Sequence, residues 1–330
     1  MRVANYVPFL REHGIALEYA PTISADEYAI LVSSAAPARK AAVLARSALR
    51  AAMPHDSAAL LLVHRLLTLT PMPTIDPPRH LDIYDFDDAL LVGSPAGSNR
   101  RFQWTKQEAR RASACMRRAR LVLTGNATLA AQAQSYARRV EIVPSCVDPD
   151  AQPIHDHQDR ETLTVGWIGS HTTVAYLKPL LPVMDRLNAR GLRVKLVAVG
   201  GDTGVRSDWI EHRPWSVQTQ AQDIAEFDVG VMPLPDTDWT RGKSGYKLLQ
   251  YFAAGVPAVA SPVGINADLV SDDRGLLATS DTEWERALAA MAADADGRRA
   301  RGATARSFVE REYSYQRWAP ELASMLRSLA

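Results

Sequence analysis

Cysteine is scarce. Cys115 and Cys146 are the only two in 330 residues, too few for a disulfide framework or a thiolate metal site. Long apolar runs are missing as well. Leu60 to Val63 and Leu66-Leu67 are interrupted by His64-Arg65, and nothing approaches the roughly 18 consecutive apolar residues of a membrane span. The first residues lack the charged-then-apolar pattern of a signal peptide, so the expected location is cytoplasmic, with no integral membrane segment. A net charge of +1 gives no support to a nucleic-acid partner. No Gly-x-Gly-x-x-Gly follows a strand with an acid about 20 residues on, which argues against a dinucleotide oxidoreductase. What is present is ordinary for a soluble globular protein: 47% hydrophobic and 23% charged residues, enough to bury real cores. The length suits two domains. Residues 1–150 hold 18 Lys+Arg against 14 Asp+Glu, and residues 151–330 hold 20 against 23, giving +4 and −3. Heavy use of Ala and Arg points to a GC-rich bacterial genome.

Apolar runs alternate with helical patterns along the chain. Met1 to Gly14 reads as a helix and Ile15 to Tyr19 as a strand; Pro37 to Ala52 is an Ala-rich helix and Ala58 to Val63 a strand. Pro71, Pro73, Pro77 and Pro78 punctuate turns before the strand Leu81 to Tyr84. Gln103 to Ala119 reads as a helix with a basic, solvated face. Leu121 to Thr124 is a buried strand, Ala127 to Ala137 a helix and Val140 to Val143 a strand. Residues 149–161 are polar and aperiodic and read as a linker. The pattern then restarts: Leu163 to Ile168 is a strand, the next helix opens near Thr173 and runs through Asn188, and Arg193 to Val199 and Val229 to Met232 are strands. A helix follows at Tyr246 to Ala254 with the strand Ala258 to Ala260 after it. Strand–helix alternation in both halves implies two parallel-sheet domains. Their expected limits are 1–150 and 151–314, with a last helix over 315–330 that crosses back to the first domain.

Three stretches carry candidate chemistry. Arg241 to Ser261 is the richest. Gly242 and Gly245 bracket Ser244 and let backbone approach a ligand. Lys243, Lys247 and Gln250 are spaced by four and three and share one face at the entrance of a helix beginning at Tyr246. A helix N-terminus with glycines and the cations Arg241, Lys243 and Lys247 suits a diphosphate; the bland alternative is a basic loop before a core helix. Gly169, Ser170, His171 and Thr172, with Thr172 or Thr173 as the cap, read as a second helix-N-terminus anion site. Asp85, Asp87 and Asp88 follow a strand, where ligands of open α/β sheets gather. A solvated acidic turn is the alternative there, and no further acids or histidines stand at metal-ligand spacing.

The run Arg241-Gly-Lys-Ser-Gly-Tyr-Lys-Leu-Leu-Gln-Tyr-Phe-Ala-Ala-Gly-Val-Pro-Ala-Val-Ala-Ser261 resembles the nucleotide-sugar-binding segment of the family-four retaining glycosyltransferases. Asp85-Phe-Asp-Asp-Ala89 and Pro144-Ser-Cys-Val-Asp148 are similar to further segments of that family. Many members carry a glutamate at the position of Gln250, where it grips the donor's ribose hydroxyls, and another eight residues earlier, which is Gly242 here. An arginine and a lysine that bind diphosphate in most relatives are replaced at Ser170 and His171. The resemblance therefore implies a variant subgroup in which Arg241 and Lys243 supply the cations.

It also implies a GT-B fold, two Rossmann-like parallel-sheet domains facing a cleft, in which the first strand of the N-terminal domain reads as missing. The implied activity is transfer of a sugar, with retention, from a UDP-sugar such as UDP-GlcNAc or UDP-glucose to a small-molecule or carrier-linked acceptor. Arg241 and Lys243 would stabilise the leaving phosphate, and Gln250 and Lys247 would hold ribose and phosphates. Asp87 or Asp88 would orient sugar or acceptor, with Arg2, His64 and Asn126 on the acceptor side. No metal and no cofactor are expected. Two other readings remain open: a GT-B sugar-nucleotide epimerase, and an inactive nucleotide-sugar-binding partner subunit.

Overall fold

The structure, a computed structural model, describes residues 2–54, 56, 58–69, 77–92, 107–158 and 160–330. Two compact units divide the chain: Met1–Pro144 with Ala319–Ala330, and Ser145–Trp318. Among the described residues no helix is long and apolar enough to cross a membrane.

The first unit is built on a parallel sheet of four strands in the order β1-β2-β3-β4, namely Leu62–His64, Ile83–Phe86, Leu121–Thr124 and Val140–Ile142. Every residue of β2 and β3 is buried, whereas β1 and β4 at the edges are only partly so. That is the signature of central parallel strands covered on both faces. The chain enters through a 3₁₀ turn, Ala4–Tyr6, and a helix, Val7–Glu12. Gly14 ends that helix with a φ of 70°, a left-handed position that glycine adopts without strain. Residues 15–19 form no strand, contrary to the sequence reading, and Tyr19 is exposed. The helix Pro37–Ala51 starts on proline and buries Val43, Ser47 and Ala51 at a four-residue interval, one face of a helix. The helix expected from Gln103 begins at Glu108, and residues 103–106 of that expectation, like Pro71 and Pro73, lie outside the described residues.

The second unit has six parallel strands in the order β10-β9-β8-β5-β6-β7. They are β5 Leu163–Ile168, β6 Val194–Val199, β7 Ile210–Arg213, β8 Val229–Met232, β9 Ala258–Ala260 and β10 Gly275–Leu277. Sequence position reverses at β5, which lies between β6 and β8; such a switch point opens a crevice at the strands' carboxyl ends. Two glycines in these strands let aromatic rings lie directly on the sheet. A Cβ at Gly166 would sit 1.9 Å from the Phe227 ring, and one at Gly230 would sit 2.2 Å from the Tyr251 ring. Tyr251 belongs to the helix Tyr246–Ala253. Its hydroxyl accepts from Ile168 N (3.1 Å) and donates to Val231 O (3.4 Å), which fixes that helix against the ends of β5 and β8.

The segment 149–158 is largely exposed, as its polar sequence suggests, but it is pinned at two histidines. His155 is 3% exposed, its N–H donates to Ala254 O (2.8 Å) and its Nδ1 donates to Ala225 O (2.8 Å). His157 Nε2 donates to Gly255 O (2.9 Å). His155 and His157 thus satisfy carbonyls at the ends of two helices, Gln220–Ala225 and Tyr246–Ala253.

Candidate active site

At the switch point the chain leaves β5 through Gly169 and leaves β8 toward the helix Tyr246–Ala253, and the two exits meet. Gly169 has no room for a side chain: a Cβ there would lie 2.4 Å from the Trp167 ring and 2.8 Å from Lys247 Nζ. The Lys247 ammonium thus rests against the Gly169 backbone and 4.5 Å from the Trp167 ring centroid, a cation–π distance. Burial, with Lys243 adding like-charge repulsion, pushes the Lys247 amine down to about 7. The helix begins after Gly245, which is left-handed (φ 67°) and offers no side-chain cap. Leu248 N donates to Gly245 O (2.9 Å), which leaves the N–H groups of Tyr246 and Lys247 to other partners.

Of the three cations expected at the diphosphate, Arg241, Lys243 and Lys247, it is Lys247 that the structure sets against Gly169. Arg241 closes a short helix, Asp238–Arg241. Its guanidinium is paired with Asp236 (2.6 and 3.0 Å) and Asp238 (3.2 Å). Lys243 Nζ stands 5.4 Å from the Trp239 ring centroid. The cation delivered to Gly169 is Lys247, the second residue of the helix, whose side chain points back toward the helix N-terminus. Gly242 is buried, Ser244 half-buried and Tyr246 39% exposed.

The Gly169 loop also departs from expectation. Residues 174–176 and 178–180 are 3₁₀ turns, and the α-helix starts only at Leu181. Thr173 stands at the N-cap of the first of these turns but makes no side-chain cap there. Its Oγ1 accepts from Ser170 N (3.1 Å), and Ser170 Oγ lies 2.7 Å from Thr172 Oγ1. The hydroxyls close the loop on itself, and His171 and Thr172 stay at its surface.

Gln250, one turn beyond Lys247, is 6% exposed. Its Nε2 donates to Gln220 Oε1 (3.5 Å), which also accepts from Trp215 Nε1 (3.2 Å). Gly200, after β6, has a φ of 84°, and a Cβ there would meet Gly169 O at 2.2 Å and Trp215 Cβ at 2.9 Å. Trp167, Trp215 and Gln220 were not among the expected site residues. The Gly200-Gly201 pair was the available signal, since small residues at a strand's carboxyl end mark close backbone approach.

In the first unit, the ends of β1 and β2 bring Arg2, His64, Arg65, Asp85, Asp87 and Asp88 together. Asp85 is buried within β2 and accepts from Arg2 Nε (3.0 and 3.2 Å) and His64 Nδ1 (2.6 Å). Arg2 also donates to Val143 O. Asp85 is therefore a structural anchor that holds the His64 ring. Arg65, with an unusual φ of 60°, donates to Asp87 Oδ1 (2.7 and 3.0 Å) and pairs with Asp88 (2.6 Å). Burial alone would raise the Asp87 carboxyl, but the Arg65, His64 and Arg2 charges outweigh it and hold it below the usual range. His64 Nε2 stands 3.9 Å from Asp87. Asn126, just past the end of β3, is the N-cap of the helix Ala127–Gln134, its Oδ1 accepting from Leu129 N (2.9 Å), an ordinary capping role. Among the described residues, no group of three or more His, Cys, Asp or Glu side chains is arranged to hold a metal ion.

Residues 162–294, which contain both the Gly169 loop and the helix Tyr246–Ala253, match the family model described as glycosyl transferases group 1. The matched segment lies within the second unit. No curated protein matches the chain. Solved structures of glycosyltransferases are similar in fold. WaaG, a glycosyltransferase of lipopolysaccharide biosynthesis, aligns over 98% of this chain and 95% of its own, with a TM-score of 0.62 at 14% identity. Sucrose-phosphate synthase from Thermosynechococcus elongatus aligns over 75% of this chain and 67% of its own (TM-score 0.61, 16% identity). HepE from Anabaena, solved with UDP and glucose, aligns over 76% and 72% (TM-score 0.58, 15% identity). The fold is GT-B.

Proposed function

We propose that this chain transfers a sugar, with retention of anomeric configuration, from a uridine diphosphate donor to a small-molecule or carrier-linked acceptor. The observation that carries the reading is the Lys247 ammonium held against Gly169 at the sheet's switch point. It lies in the segment that matches the glycosyltransferase family. In the reaction the bond from the sugar's anomeric carbon to the β-phosphate oxygen breaks and negative charge gathers on the phosphate. Lys247, with Lys243 nearby and the N–H groups of the helix Tyr246–Ala253, would stabilise that charge without a metal. The acceptor oxygen attacks from the face the phosphate leaves, and its proton passes to the departing phosphate oxygen, so no protein base is required. Gln250 would hold the ribose hydroxyls, and Arg241 would reach phosphate only by leaving Asp236. Asp87, kept ionised by Arg65, is a poor proton acceptor but a good hydrogen-bond acceptor for sugar or acceptor hydroxyls. His64, oriented by Asp85, is its neighbour in that role.

The test is a thermal-shift screen against UDP-, GDP- and TDP-sugars, followed by calorimetry on Lys247→Met. Loss of a charge-assisted contact should weaken UDP binding about tenfold or more. Unchanged UDP affinity in that variant would remove the diphosphate from this place. Turnover with a validated acceptor should persist in excess EDTA; loss of turnover restored by magnesium or manganese would replace the metal-independent mechanism.

A further inference from the structure

Gln250 stands at the end of a hydrogen-bond relay that begins at an indole. Trp215 Nε1–H can only donate, and it lies 3.2 Å from Gln220 Oε1. That contact sets the Gln220 amide with its oxygen toward the indole, because the reverse orientation would place two donors face to face. Gln250 Nε2 lies 3.5 Å from the same oxygen. The Gln250 amide is therefore turned with its NH₂ toward Gln220 and its carbonyl oxygen away. No described protein group donates to that oxygen.

We propose that Trp215 and Gln220 are positioning residues that lock the Gln250 carbonyl oxygen as an acceptor for the ribose diol of the donor. The proposal rests on the uridine diphosphate reading above and goes beyond it by assigning the orientation of the amide and the residues that impose it. A glutamine amide can normally turn over, presenting a donor or an acceptor to the same ligand. A carboxylate has no such ambiguity. The relay gives a neutral amide the one-sided acceptor character of a carboxylate. Trp215 suits the task, since the residue is 43% exposed and does not serve as core. The backbone around it is fixed: Gln220 N donates to Ser216 O (3.1 Å) and Thr219 N to Ser216 Oγ (3.0 Å). Gly200 leaves the space that Trp215 Cβ needs.

The experiment compares UDP with 2′,3′-dideoxy-UDP by calorimetry on the full chain. Wild type should prefer UDP by about tenfold, the scale of a well-formed hydrogen bond to the diol. Trp215→Phe, which keeps an aromatic ring and removes the N–H, and Gln220→Leu should each cut that preference to about two- to threefold while leaving dideoxy-UDP affinity unchanged. Gln220→Glu, whose carboxylate accepts from both neighbours, should retain the preference. Each variant decides by itself, so misfolding of one leaves the other to answer. An unchanged preference in Trp215→Phe and Gln220→Leu overturns the relay. So does an equal loss of affinity for both nucleotides, which is what a merely structural role would produce. A wild type that binds UDP without preferring it over the dideoxy analogue overturns the relay alone. One that binds neither UDP nor UDP-glucose overturns the donor reading as well.

Discussion

An ammonium group wedged between an indole face and a glycine backbone is poorly hydrated, and Lys247 titrates accordingly, at about 7 rather than its ordinary value of 10.5. The unfolded chain holds this proton up to about 10.5, while the folded apo protein gives it up near 7, so the group makes apo stability rise with pH across that window. A bound diphosphate reverses the balance by drawing the proton back. Affinity for UDP should be flat below pH 7 and should fall above it, approaching tenfold per pH unit until the pKa of the complex is reached. Calorimetry at pH 6.5, 7.5 and 8.5 would show this slope in wild type and its absence in Lys247→Met. A flat wild-type profile would mean that Lys247 does not meet the diphosphate. This residue also shows where sequence reading stopped short. Lys243 and Lys247 were legible as cations on one face, but the side chain nearest the glycine loop was not, because Asp236 and Asp238 had no apparent link to Arg241. Asp85, next to the expected strand, is the aspartate whose place suits a structural role, and it anchors Arg2 and His64; the cap that Asn126 makes was not legible.

At the scale of elements, the helix Tyr246–Ala253 depends on how the chain turns into it. Gly245 is left-handed, and a Cβ there would meet Leu269 Cδ1 at 2.4 Å and Ile265 Cγ2 at 3.1 Å. Gly191 is also left-handed, at φ 86°, but nothing lies within 4 Å of its Cβ position. The two glycines therefore separate backbone strain from collision. Gly191→Ala should lose about 1 kcal/mol, the strain of a left-handed alanine. Gly245→Ala should lose about 2–4 kcal/mol because overpacking adds to that strain, and it should weaken UDP binding by shifting the helix start. Urea denaturation of both variants and calorimetry on the second provide the measurement; equal losses would show that Leu269 yields freely. The elements themselves were legible where burial imposes continuous apolar runs, as in β3, β5, β6 and β8. Two strands escaped. Ile210–Arg213 is half-buried throughout and charged at alternate positions, and Gly275–Leu277 is three residues long, so neither presents a distinct period. The loop at Ser170 misled for a different reason: adjacent threonines look like a helix cap, while their hydroxyls serve the loop's own backbone.

Across the whole molecule, each unit has its own parallel sheet, and the chain that enters the second unit is fastened before its first strand begins. The fastening is made by His155 and His157, whose rings stand 4.4 Å apart edge to face and which donate to Ala225 O and Gly255 O. Burial, then the charge of His155, push the His157 imidazole down to about 4, against a partial opposing effect of the Gly255 carbonyl. The sign follows from linkage. Between pH 6.5 and 4 the unfolded chain binds this proton and the folded protein does not, so stability contributed by neutral His157 is complete above pH 6.5 and is lost as pH falls toward 4. The ring is half-buried, so solvent screening leaves on the order of 1 kcal/mol, or about 2–4 °C in the unfolding midpoint of a domain this size. Thermal unfolding at pH 7.5 and 4.5 should show a larger drop in wild type than in His157→Gln, whose amide can still donate to Gly255 O without a proton to gain. Most carboxylates stay ionised in both states over the upper part of that window, so their contribution is shared by the two proteins. Equal drops would show that the segment 149–158 does not limit the acid stability of the second unit, and that its histidines satisfy carbonyls without holding the fold closed.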